Sequence, residues 1–221
     1  RGVLAQWFWA DTRQQLPGLS LALMALLLAL AANIGVGTMV SSFRLTFTGW
    51  LDQRLAAELY LTARSEAEAA EMVAWLEPRT DAILPIFSAG TEVLGQPAEL
   101  YGVTDHATYR DHWPLLQALP DVWDRVASGD AALVNEQLAR REGLAPGDPL
   151  VLPEWQGEIA GIYSDYGNPE AQVIVSTDRL LALHPEVSRL RYGLRVAPEQ
   201  ASDLAEEMRQ RFGLGETGLV D

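Results

Sequence analysis

The chain has 221 residues, a formal net charge of −14 and no cysteine. A disulfide framework and a thiolate zinc site are thereby excluded, and a surface this acidic argues against a nucleic-acid ligand or flat adsorption on anionic lipid. All 16 basic residues are arginine, so a phosphate-binding loop of the GxxxxGK[ST] type, which needs lysine, is excluded as well.

Residues 1–15, RGVLAQWFWADTRQQ, place Trp7, Phe8 and Trp9 just before a long apolar run. Indole rings favour the headgroup layer, so this reads as a juxtamembrane interfacial helix with Trp7 and Trp9 as anchors. The run from Gln14 to Phe43 carries no formal charge. At the rise of an α-helix it is about 45 Å long, enough to cross a bilayer and its interfaces. A transmembrane helix is expected over 16–43, and the whole protein is expected to be membrane-embedded.

The first half of the span is Leu and Ala, whereas Asn33, Gly35, Gly37, Thr38 and Ser41 crowd the second half. Small residues let helix backbones approach and polar ones seek partners in lipid, so these five are candidates for packing against further helices. The helical pattern continues through FRLTFTGWLDQRLAAE as a stalk over 44–57, with Trp50 as a second interfacial anchor. Arg1 and Arg13 before the span against Arg44 and Arg54 after it give no orientation by the positive-inside rule. The sequence starts at Arg1 and stops in what reads as the middle of an element, so a piece of a longer protein is expected.

All but one of the 30 carboxylates follow residue 43, which marks the remainder as a water-facing domain. ELYLTA alternates as a strand, Ser65 and Glu68 have capping-box spacing, and Ala69, Met72, Val73 and Leu76 form one apolar helical stripe. Residues 82–88, AILPIFS, read as the next strand. A second such unit closes the chain: a strand over Arg189–Val196, Pro198 at a helix start, and a stripe of Ala201, Leu204, Ala205, Met208 and Phe212. The expected class is α+β. Two β-α-β halves over 58–88 and 188–221 predict a ferredoxin-like lobe, its last strand at or beyond residue 221.

Residues 89–187 read as an inserted β-rich lobe. A hairpin is expected around Gly95–Pro97, then an irregular Trp-rich stretch through Trp113 and Trp123. After it come a strand at Ala132–Asn135, a short helix over Glu136–Glu142, and strands at Leu150–Leu152, Glu158–Tyr163 and Gln172–Ser176. A further helix is capped by Ser176 or Thr177. LPEWQGE reads as a hairpin tip and SDYGNP as a tight turn, with Glu154, Trp155 and Tyr166 as candidate partner contacts.

The succession ALVNEQLARREGLAPGDPLVL, then GEIAGIYSDYGNPEAQVIVS, with the span running into FRLTFTGWLDQRLAAELYL, resembles an FtsX-like ABC transporter permease bearing a MacB-like periplasmic core domain. The resemblance covers nearly the whole chain. It implies a bacterial inner-membrane protein with a cytoplasmic N-terminal side, residues after about 44 extracytoplasmic, and further permease helices elsewhere. It also implies a cytoplasmic ATPase subunit as partner, with a periplasmic protein or lipoprotein as a further one.

No catalytic constellation stands out. Asp105, His106, Asp111 and His112 are polar and close in sequence, but their spacing is not that of a strong metal signature. Ser164-Asp165 lacks a nucleophile elbow, and His184 sits before Pro185 at an expected helix end. A non-enzymatic chain without cofactor is expected, in which ATP hydrolysis by the partner is coupled mechanically to export or extraction of a substrate. The alternative is a membrane-anchored extracytoplasmic ligand-sensing domain of a signalling protein.

Overall fold

The computed structural model describes the backbone of residues 2–54, 57–215 and 217–220 and, within the first helix, all side chains but those of 4, 5, 14–17 and 46–54. The chain forms two compact units, Arg1–Asp52 and Gln53–Asp221.

Nearly all of the first unit is helical: it is formed by α1, which runs over Val3–Arg54, 52 residues. The interfacial, spanning and stalk segments predicted as successive pieces are therefore one helix. Its apolar part, Gly18–Leu45, has a mean hydropathy of 2.3, long and apolar enough to cross a membrane. Residues 55 and 56 of the expected stalk lie outside the described residues, as does the side chain of Trp50.

The second unit holds two sheets. Its first is built from β1 (Leu59–Thr62), β2 (Ala82–Pro85), β10 (Arg191–Arg195) and β11 (Leu219–Val220), in the antiparallel order β11-β1-β10-β2. Helices α2 (Glu66–Leu76) and α7 (Pro198–Phe212) follow β1 and β10 in sequence. This is the strand order of a split β-α-β fold, and the final strand, expected at or past the chain's end, is present. Leu59, Leu61 and Leu194 pack with Met72, Leu76, Leu204 and Met208 in one buried core.

Local chemistry sets the helix starts. Ser65 Oγ accepts from Glu68 N at 3.2 Å. The reciprocal half of the capping box is displaced by one residue, because the Glu68 carboxylate takes Arg64 N (2.7 Å) and the Arg64 guanidinium. That pairing holds the Glu68 carboxyl below its ordinary pKa, first through the Arg64 side-chain hydrogen bond. Pro198 opens α7, where a missing N–H costs nothing.

The predicted strand 82–88 is in fact two. β2 ends at Pro85, and after Ile86 the chain enters β3 (Phe87–Val93), the edge strand of the second sheet. An unbroken apolar run hid the crossing. β3 turns at Leu94 (φ 52°) and Gly95 (φ 75°) into β4 (Gln96–Val103). Two successive residues at positive φ are what a tight hairpin turn demands. The stretch read as irregular contains α3 (Ala107–His112), β5 (Leu115–Ala118) and α4 (Val122–Ser128).

The sheet continues with β6 (Ala131–Asn135), β7 (Pro149–Leu152), β8 (Trp155–Tyr163) and β9 (Ala171–Ser176), in the order β3-β4-β9-β6-β8-β5 with β7 on β8. α5 (Glu136–Glu142) and α6 (Thr177–Leu183) complete it. Pairs β4–β9 and β6–β8 are parallel. Alternate residues of β6 and β9 enter different cores: Ala132, Val134, Val173 and Val175 meet α5 and α6, whereas Ala131, Leu133 and Ile174 meet α3 and α4. The inserted lobe thus has helices on both faces of its sheet, and central strands buried on both sides lose the alternation that sequence patterns rely on.

Candidate functional site: the cleft between the two sheets

Period-2 alternation decides what the first sheet offers on its helix-free face. Leu59 and Leu61 go to the helices, so Tyr60 and Thr62 face the other way. Register sets Tyr60 beside Gly193, Gly193 beside Leu84, and Thr62 beside Arg191. Leu84 is 2% exposed and joins the core of the inserted lobe, tying the two sheets together. Phe87 and Tyr192 meet edge-to-face with ring centroids 5.6 Å apart, a second tie.

The inserted lobe supplies the opposite wall. Trp113 is its centre, edge-to-face with Tyr109 (5.4 Å), Tyr163 (5.8 Å) and Trp123 (6.4 Å). The Tyr163 hydroxyl donates to Gln172 Oε1 at 3.0 Å, a buried polar pair. Between the walls lies a cavity of about 320 Å³ bounded by Tyr60, Arg191, Tyr101, Tyr109, Trp113 and Gln172, among others. Burial pushes the Tyr109 phenol up to about 12, with the nearby Tyr60 adding to the shift. The hydroxyl of Tyr109 therefore stays protonated and able to donate across the whole physiological range.

The residues nominated from sequence are spread over the molecule. Trp155 is not a surface contact: it is 8% exposed, and its Nε1 donates to Gly129 O at 3.2 Å. The hairpin tip is correctly placed, but the indole folds inward over Gly157, where an added Cβ would lie 2.2 Å from the ring. Glu154 at the same tip is exposed. Tyr166 is 66% exposed and does not pack back on the lobe. Its neighbour Asp165 is 1% exposed and accepts from Asn168 Nδ2 at 2.8 Å, so the SDYGNP turn is held from inside.

Asp105 is engaged by Arg110 (2.6 Å), which also reaches Asp124 (2.8 Å), and this holds the Asp105 carboxyl below its ordinary value. His106 caps α3, accepting from Thr108 N. Among the described residues no group of three or more such side chains is arranged to hold a metal. His184 is the residue at the end of α6, its Nδ1 3.3 Å from Glu186.

On α1, Asn33, Gly37 and Ser41 recur every four residues and share one helix face, while Gly35 falls on the far side. Thr38 Oγ1 bonds back to Ile34 O at 2.8 Å, so its hydroxyl is satisfied within the helix. Trp7 and Trp9 lie exposed in the same helix, 73% and 70%.

A family model described as the MacB-like periplasmic core domain matches residues 19–211. Among solved structures, the periplasmic region of MacB from Actinobacillus actinomycetemcomitans is similar with TM-score 0.50 and 13% identity, over 73% of this chain and 85% of that one. The extracellular domain of the noncanonic ABC-type transporter YknZ from Gram-positive bacteria is similar with TM-score 0.51 and 11% identity, over 73% and 96%. Among curated proteins, none matches.

Proposed function

The chain belongs to the family of MacB-like periplasmic core domains, and on that premise we propose that it is a membrane span and the extracytoplasmic domain of an ABC transporter permease. The observation that carries this reading is the extent of the family match, which begins inside the apolar helix and runs through both sheets to α7. It fits a bacterial inner-membrane protein whose N-terminal side is cytoplasmic.

Residues 1–221 hold no lysine with which to build a phosphate loop, and we assign hydrolysis to a partner ATPase. Force from that partner enters α1, a helix with no break between its apolar part and Arg54. It is delivered at Glu58, whose carboxylate pairs with Arg195 (3.4 Å) and accepts from Val196 N (3.1 Å). The domain then acts on an exported or extracted substrate, and exposed Glu154 and Tyr166 are the contacts we assign to a periplasmic protein or lipoprotein. Within the membrane, the face of Asn33, Gly37 and Ser41 packs against other permease helices. Trp7 and Trp9 anchor the cytoplasmic interface.

The test is to express the whole permease with its candidate ATPase. Co-purification of the two, and export abolished by removing the ATPase's phosphate-loop lysine, are expected. Export that continues without any ATPase would overturn the assignment.

A further inference from the structure

We propose that the cleft between the two sheets is a binding site for a small aromatic carboxylate, its ring among Tyr60, Tyr109 and Trp113 and its anionic end on Arg191. This goes beyond the transporter reading and does not depend on it.

Four observations converge. The cavity's 320 Å³ is room for about ten water-sized groups, the size of a single ring with a short acid tail. Its walls are rich in aromatic rings, which favour another ring edge-to-face or offset. Arg191 is exposed at this cleft and makes no ion pair or side-chain hydrogen bond among the described residues, although the chain carries 30 carboxylates. Arg195, four residues on, is already held by Glu58. A planar guanidinium left free beside an apolar cavity suits a carboxylate, which it can grip with two parallel hydrogen bonds.

The fourth observation is Tyr109. It is 9% exposed and lines the cavity, yet its hydroxyl has no hydrogen-bond partner among the described residues. With no protein partner, that hydroxyl is able to donate to a ligand oxygen. Burial keeps that phenol protonated. Tyr60 and Arg191 come from one lobe, Tyr109 and Trp113 from the other, so an occupant bridges the lobes and stabilises their association by mass action.

Calorimetric titration of the full chain in lipid nanodiscs with sodium 3-phenylpropionate, corrected with empty nanodiscs, tests this. One saturable site is expected, with the neutral 3-phenylpropan-1-ol binding about tenfold more weakly, the usual value of a charged hydrogen bond. Arg191→Gln is expected to weaken the acid about tenfold and leave the alcohol unchanged; Tyr109→Phe, which keeps the ring, should weaken both about threefold. Thermal unfolding without ligand checks that each variant folds. Absence of saturable binding above empty nanodiscs, or equal affinity of the acid for Arg191→Gln and the parent, overturns the proposal.

Discussion

Asn135 is fully buried at the junction of β6 and α5, and replacing it puts a number on the polar bolt inside the inserted lobe. Its Oδ1 accepts from Leu138 N (3.2 Å), capping α5, and from Gln172 N (3.2 Å) at the start of β9. Its Nδ2 donates to Glu170 O (2.7 Å) and lies 3.5 Å from Asp165 Oδ2. Asn135→Ala strands two buried N–H groups, that of Leu138 at the cap of α5 and that of Gln172, at about 1–3 kcal/mol each. A loss of about 2–6 kcal/mol is expected, a large part of the stability of an ordinary domain.

Asn135→Asp separates the contributions. It keeps the acceptor for both N–H groups but replaces the donor toward Glu170 O with a buried carboxyl oxygen. Such a carboxyl has a folded pKa above its unfolded value, so the folded state binds more protons and stability falls as pH rises. Guanidinium unfolding followed by tryptophan fluorescence reads both variants. Asn135→Ala within about 0.5 kcal/mol of the parent, or Asn135→Asp more stable at pH 8 than at pH 5, would refute the reasoning.

Gly157→Ala sets a Cβ 2.2 Å and 2.4 Å from the Trp155 ring and 2.6 Å from Asp130 O, and should cost about 3 kcal/mol by overpacking; in a double-mutant cycle, Trp155→Ala should cost less on that background than on the parent. Tyr109, whose folded pKa of about 12 exceeds the ordinary 10.0, contributes stability that is full below pH 10 and lost as pH rises to 12. That amounts to about 2–3 kcal/mol, and a pH titration of stability should be flatter by that much in Tyr109→Phe. Ser65→Ala removes the cap of α2 and should cost about 1 kcal/mol in the same unfolding assay; no change would mean that Arg64 and Glu68 alone hold that helix start.

Elements with a local signature were legible in the sequence. α5 begins and ends where its Asn135 cap and Gly143 (φ 69°) place it, and the two β-α-β halves follow from stripe periodicity. Features set by distant partners were not. AILPIFS reads as one strand because nothing local marks where a chain leaves one sheet for another. α3, β5 and α4 run over four to seven residues each, too short for a helical or alternating period to accumulate. Trp155 was misplaced because a hairpin tip normally points outward; the missed signal was Gly157, two residues on and on the same strand face, leaving space for the ring. The cleft was invisible too, since Tyr60, Arg191, Tyr109 and Trp113 meet only once both sheets are built.

The most direct test of mechanical coupling is a flexible Gly-Ser insertion after Gly49, inside α1, in the whole permease with its ATPase. A pliant segment absorbs motion that a continuous helix transmits. Export should be lost while folding, ATPase association and ATP turnover persist. Undiminished export with the insertion in place would contradict the account.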